Sequence, residues 1–168
     1  MTKLIAIGFL AALASCGDNS RDVSQLREAI AGSRVTLHDM IAVAEGSMAD
    51  GHAITAELVV GGTPVYSYGT VGAGTLHDVR VDTIEGAVVA TLAAGAGNPS
   101  CPGSLSLAEA IVIAEAQVAG GTVIAAIPDD DVACARELQV LDPTLLWEVK
   151  VGGAGEVLEL EESDETED

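Results

Sequence analysis

The sequence predicts an α+β fold of two tandem repeats, each with one helix packed on a three- to four-stranded antiparallel meander. The first observation is that residues 36 to 81 align without a gap with residues 106 to 151, at a constant offset of seventy. A fixed offset indicates one supersecondary unit that is used twice. The second observation is that in each copy the period of the apolar residues changes from 3.6 residues to 2 residues. This is the change from an amphipathic helix to a half-buried strand.

Each copy begins with a predicted helix. Apolar residues recur at helical spacing in TLHDMIAVAE, which starts at Thr36, and in SLAEAIVIAE, which starts at Ser106. Thr36 and Ser106 are good N-caps, and an acid three residues later, Asp39 or Glu109, completes a capping box. Glycines then end both helices.

Four strands are predicted after each helix, because apolar and polar residues alternate there as they do in a strand with one buried face. They cover residues 53–60, 64–71, 77–82 and 87–92 in the first copy, and 122–127, 135–141, 145–151 and 156–161 in the second. A unit of this size buries only a modest core. We therefore expect the two units to pack together.

These elements divide the chain into six segments. Val23, Leu26 and Ile30 lie at helical spacing before the first repeat, where the chain is either a short helix or a spacer. The segments are a lipoprotein signal peptide (1–15), a tether or short helix (16–34), the first repeat (35–93), a linker rich in glycine (94–103), the second repeat (104–162) and an acidic disordered tail (163–168).

The N-terminal segment has the pattern of a secretory signal, with a basic start at Lys3 and an apolar run too short to span a bilayer as a helix. It ends in Leu13-Ala14-Ser15-Cys16, which resembles the bacterial lipobox; the alternative is an ordinary signal peptide that contains a cysteine. The lipobox implies that Cys16 becomes the acylated N-terminus, and several acyl chains give durable anchoring. Gly17, by resemblance to lipoprotein sorting, favours the outer membrane. We expect a chain anchored in the bacterial cell envelope and facing the periplasm.

Charge excludes some partners. The formal net charge is −19, so a nucleic acid or an anionic membrane surface is not a plausible partner. Only 2% of the residues are aromatic, which leaves little material for recognising a ligand by stacking, and no cofactor is predicted.

Two cysteines remain beside Cys16. In a compartment where disulfides persist, Cys101 and Cys134 form either a disulfide or two buried free thiols. The sequence leaves both possibilities open, because it does not give their distance.

The repeats resemble the PepSY domain, a family of extracytoplasmic modules that includes protease propeptide segments. Residues 36–45 and 106–115 match the family's helix, and DVRVDTIEGAV at 78–88 matches its terminal strand motif. EVKVGGAGEVL at 148–158 departs from it, with Gly152 in place of an aspartate and a turn one residue shorter. The resemblance covers residues 34–162. It implies protein binding or peptidase inhibition, with no catalytic residues.

No residue pattern predicts catalysis, so we expect a protein that is not an enzyme. His38, His52 and His77 all lie in the first copy and show no spacing that would make them converge on a metal. The glycine-rich stretch 69–74 leads into a strand and no lysine follows it, so it does not fit a phosphate loop. Ser106 is explained by its role as a cap.

Two functions follow as hypotheses. The first is a lipid-anchored module that binds a protein, such as a protease or an envelope complex, through a sheet edge or the exposed sheet face. The alternative is an acidic lipoprotein that binds metal or other cations weakly through Asp129, Asp130 and Asp131 and through the tail that begins near Glu159.

Overall fold

Three helices and eight strands follow one another along residues 23–97 and 103–163, the parts of the chain that the computed structural model describes. The helices are α1 (Val23–Gly32), α2 (Ile41–Gly46) and α3 (Leu107–Gln117). The strands are β1 (His52–Val59), β2 (Val65–Gly72), β3 (Thr75–Asp82), β4 (Val88–Ala96), β5 (Thr122–Pro128), β6 (Arg136–Leu141), β7 (Leu146–Val151) and β8 (Val157–Glu162). Seven strands lie within two residues of their predicted bounds, and β4 is longer than predicted.

All eight strands belong to one antiparallel sheet in the order β4-β3-β2-β1-β5-β6-β7-β8. The predicted architecture of two tandem repeats, each with its own helix on its own meander, is therefore wrong. β1 pairs with β5 through Ala56↔Ala126 and Glu57↔Ala125, so the strands form a single continuous layer. The physical reason is that separate meanders would leave β1 and β5 as two further open edges with unpaired backbone groups.

The offset of seventy persists in the strand pairing even though the sheet is continuous. Thr55 lies opposite Gly69 in the first half, and Ala125 lies opposite Gln139 in the second. A β-bulge precedes each of these pairs. The Glu45 carboxylate accepts a hydrogen bond from the Ala53 amide at 3.0 Å, and Glu115 accepts one from the Val123 amide at 3.1 Å. Each carboxylate thereby satisfies a backbone donor beside a bulge, where the ladder is interrupted.

The helices cover one face of the sheet and enclose one hydrophobic core. α2 packs on β1, β2 and β3, whereas α3 packs on β5 to β8 and reaches β1. Two buried tyrosines hold the segment before α2 onto the sheet. Tyr68 donates its hydroxyl to the Leu37 carbonyl at 2.6 Å, and Tyr66 donates to the Val35 carbonyl at 2.9 Å.

The two helix starts differ from each other. The capping box at Ser106 is confirmed, because its hydroxyl accepts from the Glu109 amide and the Glu109 carboxylate accepts from the Ser106 amide. Thr36 and Asp39 exchange the same two bonds at 3.1 and 3.3 Å, yet α2 begins only at Ile41. The predicted first helix is thus replaced by turns up to Met40 and a helix of 6 residues.

The predicted boundaries change at two further places. The segment before the first repeat is the helix α1, which buries Val23, Leu26 and Ala29 in the core instead of serving as a spacer there. β4 continues to Ala96 and so takes in the start of the predicted linker. The predicted signal peptide (1–15) and all of the predicted tail except Ser163 lie outside the described residues.

A buried arginine completes the junction between the halves. Pro128 at the end of β5 has no amide hydrogen to offer the neighbouring strand β1. Arg136, opposite Pro128 on β6 and only 8% exposed, reaches across and donates from Nη1 to the Ile54 carbonyl at 2.7 Å. Burial lowers the pKa of this guanidinium. The side chain therefore gives the Ile54 carbonyl a donor beside a strand end where proline has none.

Candidate functional site

The first candidate site is the free edge of the sheet at β4. This strand pairs with β3 on one side, and no strand in the described part of the chain pairs with its other side. None of its nine residues is charged, and apolar side chains are open to solvent, with Val89 57% and Leu92 54% exposed. β-bulges against β3 lie beside Val89 and Ala94. An uncharged, exposed edge strand is a ready template for another strand.

The opposite edge, β8, is built differently. It carries Glu159, Glu161 and Glu162 among its six residues, and it is exposed along its whole length. Lys150 of β7 donates to the Glu159 carboxylate at 3.3 Å. Charged side chains on an edge strand oppose pairing with a further chain. The two ends of the sheet therefore present an open edge and a protected one.

The strand register shows which residues are equivalent at the two edges. Leu92 lies opposite Asp78 on β3, and Glu161 lies opposite Glu148 on β7. Because Asp78 and Glu148 are themselves related by the offset of seventy, Leu92 of β4 occupies the place that Glu161 has in β8. One edge thus has leucine where the other has glutamate.

The second candidate surface is the open face of the sheet, opposite the helices. On β2 and β3, Ser67 donates to Asp78 at 2.6 Å, and Arg80 forms an ion pair with Asp78 at 3.0 Å. On β6 to β8 the face is acidic around a recess of about 90 Å³, lined by Glu137, Glu148, Lys150, Glu159 and Glu161. Burial raises the pKa of the Glu137 carboxyl, and the charge of Glu148 adds to the effect.

The aspartates predicted as weak cation ligands have other partners. The Asp129 side chain is only 3% exposed and lies 2.9 Å from Lys150 Nζ, and it also accepts from the amides of Asp131 and Val132. The hydrogen bond from Lys150 lowers the pKa of Asp129, and the Val132 amide adds to this. The same contact with Asp129 raises the pKa of Lys150. Asp130 and Asp131 are exposed in the turn that follows.

The histidines lie on separate elements: His38 precedes α2, His52 begins β1 and His77 lies on β3. In residues 23–97 and 103–163, no three His, Cys, Asp or Glu side chains are grouped so that they could hold a metal ion. Within these ranges, no helix combines the length and the apolar character needed to cross a membrane.

The cysteine predictions fall partly outside the described residues. Cys16, the predicted lipidation site, and Cys101 both lie there. Cys134 is disulfide-bonded and has a positive φ of 67°. The pairing of Cys101 with Cys134 stays a prediction.

A third candidate is an open cleft of about 460 Å³ beside α1. It lies between α1 and the turns that follow β1 and β3, and its walls include Ala29, Val60, Pro64 and Ile84. Its lining mixes apolar side chains with Gln25 and Glu28, and it holds no concentration of groups suited to catalysis.

The sequence predicts binding at a sheet edge or on the exposed sheet face, and it leaves the choice between the two edges open. The signal that distinguishes them was present, because residues 86 to 100 contain no charged residue and residues 156 to 162 contain four glutamates. The glycines from Gly95 onward favour a linker, whereas the uncharged stretch forms a strand as far as Ala96.

Comparison with known proteins gives little support for transferring a role. No family model matches the chain, so membership of the PepSY family is not confirmed. No curated protein matches either. A solved structure from Clostridium difficile 630, described as a "putative lipoprotein", aligns with 78% of this chain and 95% of its own at 16% identity, with a TM-score of 0.47. The similarity is too low to transfer that description or any residue's role to this chain.

Proposed function

We propose that this chain is a lipid-anchored protein of the bacterial envelope that binds an extended segment of a protein partner along β4. The observation that supports this most is the uncharged edge, where none of nine residues carries a charge and seven of them are exposed beyond the helix layer. An added strand would form main-chain hydrogen bonds with the outward-facing amide and carbonyl groups of β4, and the side chains of β4 would give selectivity.

The charge distribution supports the choice of β4 over β8. A strand added at β8 would meet three glutamate side chains, and like or unpaired charges across strands are destabilising. A strand added at β4 meets only valine, threonine, leucine, alanine and glycine. The partner segment is therefore expected to be uncharged and rich in small or β-branched residues.

The anchor is the second part of the proposal. Acylated Cys16 would hold the chain at the membrane surface, facing the periplasm and, by the residue at 17, at the outer membrane. Labelled palmitate should enter the wild-type chain and not a Cys16→Ala variant. A wild-type chain that takes up no label would contradict lipidation while leaving the β4 edge untouched.

A photo-crosslinking side chain at Val89 tests the edge in intact bacteria that make the full chain. We expect adducts with a protein from Val89 on β4, and none from Leu158 on β8, which is 46% exposed and serves as the matched control. Equal adducts at both positions, or none at Val89, would refute binding along β4.

The PepSY resemblance implies a narrower form of this function, in which the partner is a peptidase. In that case the Val89 adduct contains a peptidase, and the purified protein lowers its activity. A Leu92→Glu variant, which gives β4 the residue found at the equivalent place on β8, should lose this effect. An unchanged inhibition by the variant would show that β4 is not the inhibitory surface.

A further inference from the structure

The side chains of β4 are divided by size along the strand. Its first half contains Val88, Val89 and Thr91, whereas its last four residues are alanine, alanine, glycine and alanine. Leu92 is the middle residue of the nine. An antiparallel copy of the same strand, centred on Leu92, would set Val88 against Ala96, Val89 against Gly95 and Thr91 against Ala93. Each branched side chain then meets a small one, so the strand is complementary to itself.

The chain already contains a junction of this kind between its two halves. β1 and β5 pair edge to edge in antiparallel fashion, and the pair Ala56↔Ala126 consists of residues related by the offset of seventy. A pseudo-twofold axis therefore passes through that pair. This junction is short, with two register partners, and bulges lie next to it in β1 and β5. β4 also carries bulges, at Val89 and Ala94, and the residues between them, 90–93, pair regularly with β3.

The distribution of charge favours the same contact. Residues 23–97 carry eight acidic and three basic side chains, whereas residues 103–163 carry twelve acidic and two basic ones. Joining two chains at β4 keeps the more acidic half at least four strand spacings away, about 19 Å from the contact. This exceeds the screening length of roughly 8 Å at physiological salt. Joining at β8 would bring the acidic halves together.

We propose that the strand which pairs with β4 belongs to a second copy of this chain, in an antiparallel twofold arrangement centred on Leu92. The proposal rests on the proposed function of β4 as a strand-addition edge and names its occupant. In an antiparallel pair, two residues that lie directly opposite each other point their side chains to the same face of the sheet. Both helix layers therefore lie on one side of a sixteen-stranded sheet. Among the described strands, the edges left free in the dimer are the two glutamate-bearing β8 edges.

A cysteine at the symmetry axis tests this arrangement, since Leu92 would face its own copy. Leu92→Cys in the mature chain, held in detergent micelles in excess over protein, should form a disulfide-linked dimer on mild oxidation. Leu160→Cys on β8 is the matched control, because Leu160 is also exposed, at 44%. We expect about tenfold more linked dimer from position 92, as cross-strand pairs bring Cβ atoms to disulfide distance. Equal linkage at the two positions would overturn the twofold arrangement.

Light scattering on the same preparations gives an independent measurement. The wild-type chain should have the mass of a dimer, and Leu92→Glu should be monomeric because two carboxylates would face each other at the axis. Leu160→Glu should remain dimeric, and circular dichroism shows whether each variant is folded. If the wild-type chain is monomeric, the second copy is refuted.

The results separate this inference from the proposed function. A monomeric chain whose Val89 crosslinker captures a different protein keeps β4 as a binding edge and refutes the second copy. If the chain forms a dimer linked through position 92, and every Val89 crosslink joins two copies of the chain, the second copy is supported. The same result refutes a different protein as the partner on β4.

Discussion

Removal of one buried hydroxyl, in Tyr68→Phe, tests how the segment before α2 is held on the sheet. Tyr68 is 0% exposed, and its hydroxyl lies 2.6 Å from the carbonyl of Leu37, which is 1% exposed. Phenylalanine fills nearly the same space but leaves this carbonyl buried without its donor. The cost of an unsatisfied buried acceptor is about 1–3 kcal/mol.

Tyr66→Phe is the matched control. Its hydroxyl donates to the carbonyl of Val35 at 2.9 Å, but Val35 is only partly buried. Water can therefore replace the lost donor, and we expect a cost of about 0.5–1 kcal/mol. Each variant removes one oxygen atom, so the contrast reports mainly on burial of the acceptor, and Tyr66→Phe also removes a hydrogen bond with Ser33.

Urea unfolding followed by circular dichroism measures both free energies. Thermal unfolding gives a second measurement, since for a chain of this size each kcal/mol of lost stability lowers Tm by about 2–4 °C. Tyr68→Phe should therefore melt several degrees below Tyr66→Phe. Equal stabilities for the two variants, or a smaller loss for Tyr68→Phe, would refute the view that the Leu37 carbonyl depends on Tyr68.

The same tyrosine gives a pH dependence. Burial raises the pKa of the Tyr68 phenol above its ordinary value of 10.0. The unfolded chain then releases this proton at lower pH than the folded chain, so the stability linked to Tyr68 is complete below pH 10 and decreases above it. The stability difference between the wild type and Tyr68→Phe should accordingly shrink as pH rises above that value. A difference that stays constant or grows would contradict the sign.

Three further predictions concern the duplicated contacts and the junction. Glu45→Ala and Glu115→Ala each remove the acceptor of a bulge amide and should each cost about 1–2 kcal/mol in urea unfolding, and a difference above about 1 kcal/mol would argue against equivalent roles. Ser106→Ala should cost about 1 kcal/mol, and Thr36→Ala less, because only Ser106 is the N-cap of a regular helix. Arg136→Met should lower stability by thermal unfolding, and Pro128→Ala should reduce that loss by returning an amide donor to β5; an equal loss in both backgrounds would separate Arg136 from the proline.

Local rules in the sequence predicted the strands well, because alternation records which face of a strand is buried. They did not predict that β1 pairs with β5. Ala56 and Ala126 are small residues on well-formed strands, and nothing in the alternation distinguishes an edge from a paired interior position. Alternation with a period of two residues shows which face of a strand is buried. It does not show whether the strand has a neighbour on each side.

The capping pattern was a good guide at Ser106 and a poor one at Thr36. Both sites exchange the same pair of side-chain and backbone bonds, but the aspartate at 39 is one methylene shorter than the glutamate at 109. At Thr36 the chain also turns to bring the Val35 and Leu37 carbonyls to Tyr66 and Tyr68. The second half has Arg136 and Leu138 at the matching places, so this demand on the chain is absent there.

The two edges of the sheet differ in how their unpaired backbone groups are protected, because each copy of the duplicated unit ends in its own outer strand. Joining β1 to β5 satisfies two of the four edges, and β4 and β8 remain. β8 resembles the usual solution, with charged side chains that discourage pairing. At β4 the equivalent place of Glu161 holds Leu92, and no charge lies anywhere along the strand. The uncharged edge lies in the half that carries the smaller excess of acidic residues. Exposure of such a strand alone would promote aggregation, even in an otherwise strongly charged protein. A bound partner strand therefore explains the uncharged edge better than a permanently free edge does.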